Sequence, residues 1–107
     1  MKVILYRDGR RAVCAKLPGE DPELELTDLL GGETEMIPLN QCLTLVVLQD
    51  GEKLQLPIRY TVRCLGKNPR PIAGDCAVVA VKPDGCLRDV KIEEVMIAES
   101  YVEAVGG

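Results

Sequence analysis

Leu29-Leu30-Gly31-Gly32, Glu35-Met36-Ile37-Pro38-Leu39 and Leu43-Thr44-Leu45-Val46-Val47-Leu48-Gln49-Asp50-Gly51-Glu52 follow one another with short gaps, and their reading decides the fold. The first is the end of a helix, since a glycine past the last leucine takes the left-handed cap that closes helices. The second carries a proline, which lacks the N–H a ladder needs, so residues 34–39 read as a strand at an edge or an end of a sheet. The third is apolar almost without a break over 43–49 and reads as a central strand. Asp50-Gly51 supplies the positive-φ pair of a tight turn. Lys53-Leu54-Gln55-Leu56 then alternates polar with apolar, as a half-exposed returning strand does.

Toward the N-terminus, residues 3–6 and 12–17 are β-like runs joined by Arg7-Asp8-Gly9-Arg10, a second Asp-Gly hairpin signal. Pro18-Gly19 breaks the sheet. Asp21-Pro22 is a helix start, because Asp caps free amides and Pro at the first helical position has no amide to orphan. Leu24, Leu26, Leu29 and Leu30 follow among acidic residues that suit the positive end of the helix dipole. Toward the C-terminus, Gly66-Lys67-Asn68-Pro69-Arg70-Pro71 makes residues 58–71 an irregular loop. Residues 76–81 are a second strongly apolar strand, entered through Ala73-Gly74-Asp75 and left through Pro83-Asp84-Gly85. In the tail from 89 to 105, Val90, Ile97, Tyr101 and Ala104 recur near helical spacing and predict a C-terminal helix, with a strand over 90–92 as the competing reading.

These elements predict one α+β domain over residues 1–107. Its sheet is mostly antiparallel with five or six strands, a short helix after the second strand and another at the C-terminus. Three Asp-Gly turns point to meander connectivity. Hydrophobic residues make up 47% of the chain, enough for a core, yet there is no Phe or Trp, and only Tyr6, Tyr60 and Tyr101 are aromatic. Val, Ile, Leu and Ala must fill that core, which favours sheet packing.

The net charge of −4 gives no overall field that draws in nucleic acid or anionic lipid. The charges are nonetheless segregated. Seven acidic residues (Glu20, Asp21, Glu23, Glu25, Asp28, Glu33, Glu35) stand between positions 20 and 35 with no base among them. Lys53, Arg59, Arg63, Lys67 and Arg70 form a basic stretch with no acid from 53 to 70. No run approaches the ~20 apolar residues of a membrane span, and Met1-Lys2-Val3-Ile4-Leu5-Tyr6 is too short for a signal sequence's apolar core. The expectation is a soluble cytoplasmic protein with no membrane partner.

The chemistry the sequence offers is sparse. With no histidine, the commonest general base and metal ligand is missing. Cys14, Cys42, Cys64, Cys76 and Cys86 form no CxxC pair and are odd in number, which argues against a zinc knuckle and a closed disulfide set. The apolar flanks of Cys14, Cys42 and Cys76 predict buried free thiols. Asp75-Cys76 after Gly74 is the nearest thing to a nucleophile site, but no base or cation stands beside it in sequence. Neither a catalytic residue, a metal nor a cofactor is expected. The best candidate surface is the basic loop 59–70, where Arg59, Arg63, Lys67 and Arg70 can grip carboxylate or phosphate, with Gly66 and Gly74 allowing close backbone approach. Arg59 and Arg63 share a face if a strand runs on past Pro57.

An ordered set of phrases also resembles a known family. Met1-Lys2-Val3-Ile4-Leu5, a helix closed by Gly31-Gly32, Glu35 before Ile37-Pro38-Leu39, Asp50-Gly51-Glu52, Leu56-Pro57 with Arg59, and Ile72-Ala73-Gly74-Asp75 are similar to the domain of unknown function numbered three-eight-four-six. The likeness covers about residues 1–81. It implies a small protein of phage, plasmid and conjugative-element genomes, and no catalytic residue or cofactor. The expected function is therefore that of a non-catalytic accessory of a bacterial mobile element that binds an unidentified protein. Self-association through an exposed sheet edge at 34–39 would give a homodimer. Weak, sequence-independent nucleic-acid binding through the loop 59–70 is the alternative, and it is short of aromatics for base stacking, with Tyr60 alone in the stretch.

Overall fold

The computed structural model describes residues 1–51, 54–63 and 68–105. The two most apolar segments, β4 (Leu43–Leu48) and β7 (Cys76–Val81), pair with each other antiparallel at the centre of a sheet. Every residue of β4 and the first five of β7 are buried. Such runs do not alternate because both faces of the sheet are covered. β1 (Lys2–Tyr6) pairs with β7 on its other side and with β2 (Val13–Lys16), while β3 (Thr34–Pro38) pairs with β4. The order is β2-β1-β7-β4-β3, and the two-residue β8 (Leu87–Arg88) adds to β7.

One face of this sheet carries Val3, Leu5, Val46, Leu48, Ala77 and Val79 against α1 (Pro22–Leu30), which contributes Leu26 and Leu30. The other face carries Ile4, Leu43, Leu45, Val47 and Val78. It packs on a second sheet of three strands, β6-β5-β9, made from β5 (Ile58–Val62), β6 (Arg70–Ala73) and β9 (Val102–Ala104). α2 (Ile92–Glu99) closes that side with Ala98. Truncating a central residue such as Leu45, which is fully buried, costs about 2–5 kcal/mol.

The α+β class, the antiparallel pairing and both helix positions agree with the sequence reading. Asp21 caps α1, its carboxylate accepting from Leu24 N at 3.2 Å, and Gly31 closes the helix in the left-handed region. Five details differ. Residues 54–56 are not a strand (Lys53 lies outside the described residues). Leu54 N donates to Asp50 O at 3.0 Å and Leu56 N to Gly51 O at 3.2 Å, with Gln55 at φ 57, because β3 and β7 already flank β4 and no edge is left for a returning arm. The expected loop 58–71 contains two strands, since Pro71 is tolerated on β6 at the edge of the second sheet. Helix α2 stops at Glu99, and β9 follows; no strand forms over 90–92. Connectivity is not a meander, because β7 inserts between β1 and β4 from far along the chain. Cys14 and Cys42 are exposed, the first on an edge strand, the second in a turn; Cys86 is exposed and Cys76 buried, while Cys64 lies outside the described residues. Among the described residues no helix is long and apolar enough to cross a membrane.

Candidate functional site

The basic stretch does not form one patch. Arg59 lies in β5 and Arg63 just beyond it, on the face opposite the buried Tyr60 and Val62, as even spacing requires. Arg63 meets Glu103 of β9 at 3.0 Å. Arg70, at the start of β6, reaches across to the edge strand β3 and grips Glu35 through both guanidinium ends, at 3.3 and 3.2 Å. Lys67 and Gly66 lie outside the described residues. Gly74 has φ +81, but what comes close to it is the Leu56 side chain, which would lie 3.0 Å from an added Cβ. The glycine serves packing there, not ligand approach.

Arg59 has a different neighbourhood. Its side-chain stem runs beside the β1–β2 turn, where a Cβ on Gly9 would sit 4.0 Å from Arg59 Cδ. That turn carries Arg7, Arg10 and Arg11. Asp8 (φ 54) and Gly9 (φ 73) form its tip, closed by Arg10 N donating to Arg7 O at 2.8 Å. Two outside contacts hold it in place. Asp75 accepts from Asp8 N at 3.0 Å, and the Tyr60 hydroxyl donates to Arg10 O at 2.9 Å. Tyr60 is fully buried and packs edge to face on Tyr6, ring centres 5.4 Å apart. Burial pushes the Tyr60 hydroxyl up to about 12, so it keeps its proton and its donor role at neutral pH. The Tyr6 hydroxyl is buried with no partner among the described residues.

Among the described residues, Arg7, Arg10, Arg11 and Arg59 have no carboxylate within ion-pair distance. They gather at one end of the molecule, where the Asp75 carboxylate is tied to Asp8 N, Asp8 lines the same hollow as Arg7, Arg10 and Arg11, and Glu99 and Glu103 border a second hollow with Arg10 and Arg11. A hollow of about 360 Å³ runs from Arg7, Arg10 and Arg11 to the apolar Leu5, Val13 and Ala15. The sequence predicts the site at 59–70 and gives Arg7 and Arg10 only a place in the turn Arg7-Asp8-Gly9-Arg10. The signal that pointed to them is their density, three arginines in five positions around an Asp-Gly tip.

The other candidate chemistry is muted. Burial, and then the nearby Asp75, push the Cys76 thiol up to about 12, so it is a core group and not an activated thiolate at neutral pH. Among the described residues no group of acids and cysteines is placed to hold a metal ion. The most buried ion pair among the described residues is Arg88–Glu94. It is bidentate at 2.8 and 2.9 Å, and Glu94 also accepts from Lys91 N at 2.8 Å to cap α2. These bonds, the Arg88 one first, hold the Glu94 carboxyl below its ordinary range. Set against known families, curated proteins and solved structures, the chain matches none of them.

Proposed function

We propose that the protein is a non-catalytic accessory of a bacterial mobile element that works by binding protein, and that its contact surface is the arginine end formed by Arg7, Arg10, Arg11 and Arg59. The observation that carries this reading is the contrast in pairing. Arg63 and Arg70 are paired with Glu103 and Glu35, whereas the three arginines of the turn and Arg59 beside it have no ion-pair partner among the described residues. Unpaired guanidiniums on a rigid, doubly anchored turn suit bidentate capture of carboxylates. The mobile-element context comes from the resemblance of residues 1–81 to the family of unknown function.

Nucleic-acid binding through 59–70 is the reading this one competes with. Two of the cations it needs already hold carboxylates, and Tyr60, the aromatic it would stack on, is fully buried. The test is capture from a nuclease-treated bacterial lysate by wild type, by Arg7→Glu/Arg10→Glu/Arg11→Glu and by Arg63→Gln/Arg70→Gln. A protein lost with the turn variant and kept with the second variant is the expected result. Equal loss with both, or a catch made from untreated lysate and absent from the nuclease-treated one, overturns it.

A further inference from the structure

The arginine end borders an open sheet edge. β2 ends the order β2-β1-β7-β4-β3, and Val13, Cys14 and Lys16 are exposed. Met1 and Leu17 exchange both backbone hydrogen bonds, Met1 N to Leu17 O at 2.8 Å and Leu17 N to Met1 O at 2.7 Å. Hydrogen-bonded and non-bonded pairs alternate along an antiparallel ladder. In the register Lys2↔Lys16, Ile4↔Cys14, the N–H and C=O groups of Cys14 and Lys16 therefore point away from β1 toward the open side. The same alternation turns Lys2 toward its other neighbours, and it is indeed bonded to Asp89 and Val90 there. The opposite edge of the sheet is better protected, with Pro38 in β3 and Glu35 held by Arg70.

The β2 edge is electrically polar along its length. Arg10 and Arg11 stand at its start. Glu20, Asp21 and Glu23 stand past its end, around a hollow of about 740 Å³ that also takes in Asp89, Arg88 and Met1; the Arg88 guanidinium is itself held by Glu94, so acids prevail there. A strand that complements both ends must carry acid opposite the arginines and base opposite the acids. β2 itself, run antiparallel, does this.

We infer that β2 pairs with β2 of a second copy of this chain, about a two-fold axis at Ala15, joining two sheets into one; this names a partner for the arginine end and rests on the protein-binding reading above. Three registers use the outward groups of Cys14 and Lys16. Pairing Lys16 with Lys16 sets like charges directly opposite, and pairing Cys14 with Cys14 brings the arginine end of each copy to Pro18 and Gly19 of the other, short of Glu20. The remaining register pairs Cys14 with Lys16 of the second copy. There Val13 faces Leu17, and beyond the strand the Arg10–Arg11 end of each copy comes alongside the Glu20 end of the other. Each contact occurs twice, as an isologous interface demands.

Sedimentation velocity across a concentration series tests this. Wild type is expected to dimerise, and Arg10→Glu/Arg11→Glu and Glu20→Arg to weaken the dimer at least tenfold each. Mixed together, those two variants restore complementary charge at both contacts, so their equimolar mixture is expected to form a heterodimer that neither forms alone. With Cys14, Cys42, Cys64 and Cys86 replaced by serine, Ala15→Cys should cross-link to itself on mild oxidation, and Val13→Cys should not. A monomer throughout the millimolar range overturns the inference, as does a dimer indifferent to the charge reversals or a mixture that stays monomeric. A monomeric wild type that still retains a foreign protein through its arginines removes the second copy and leaves the binding reading standing. Circular dichroism of each variant separates lost pairing from lost folding.

Discussion

Arg88, Arg70 and Arg63 on one side, and Arg7, Arg10, Arg11 and Arg59 on the other, are one residue type put to two uses. The first three each meet a carboxylate, and the pairs grade outward. Side-chain exposure is 22% and 10% for Arg88–Glu94, 50% and 41% for Arg70–Glu35, and 64% and 62% for Arg63–Glu103. The four at the turn have no such partner among the described residues. An arginine that spans elements of its own fold has its fork occupied; one held out on a braced turn keeps it open. Stability and binding should therefore divide between the two groups.

The innermost pair offers the sharpest way to break that division. Glu94→Ala, which strands Arg88 and uncaps α2, should cost about 2–3 kcal/mol in denaturant unfolding. Its pH dependence follows from the sign of the shift. The folded carboxyl titrates below its ordinary value of 4.5, so the pair's contribution is complete above that value and is lost as pH falls through the lowered one. Wild type and Glu94→Gln should differ at neutral pH and converge in acid; a constant gap would assign the effect to packing instead.

Tyr60→Phe keeps the ring and removes the hydroxyl that braces Arg10 O, leaving that carbonyl short of its partner. A loss of about 1 kcal/mol is expected, with faster amide exchange at the β1–β2 turn, seen by NMR. Arg70→Ala and Arg63→Ala should each cost less than about 1 kcal/mol, Arg70 the more, and the difference should shrink in high salt. The smallest effect belongs to the turn. Arg7→Ala, Arg10→Ala and Arg11→Ala should leave stability within about 0.5 kcal/mol of wild type while removing partner capture. A turn variant that melts early would mean these arginines serve the fold after all. Thiol chemistry marks the same boundary between inside and outside: an alkylating reagent should reach Cys14, Cys42 and Cys86 in the native protein and Cys76 only after unfolding.

Much of the first sheet was legible because its signals are local. Asp-Gly at 8–9, Asp21-Pro22 and Gly31 each act within a few residues, and the two short, nearly unbroken apolar runs, bounded by turn residues, read as strands covered on both faces. The second sheet was hidden. β5 and β6 are short, proline stands inside β6, and the partner strand β9 lies some forty positions further on. The fate of the arginines was hidden for a related reason. Arg70 finds Glu35 at a sequence separation of 35, and no spacing rule connects them. Basic density could be read at 7–11; that no acid would fold onto it could not.

The position of β7 has a consequence for how the chain is made. Synthesis delivers β1–β2 and β3–β4 first, as two hairpins, and each then shows a bare apolar edge that only β7 can fill. Every residue up to Val81 must be made before the central strand is complete, so folding waits on one late, non-local insertion. Until it arrives, the nascent protein exposes two sticky strand edges side by side, the condition under which chains aggregate or recruit chaperones. Substitutions in Cys76–Val81 should then depress the yield of native protein in cells further than their effect on the purified protein's melting temperature suggests.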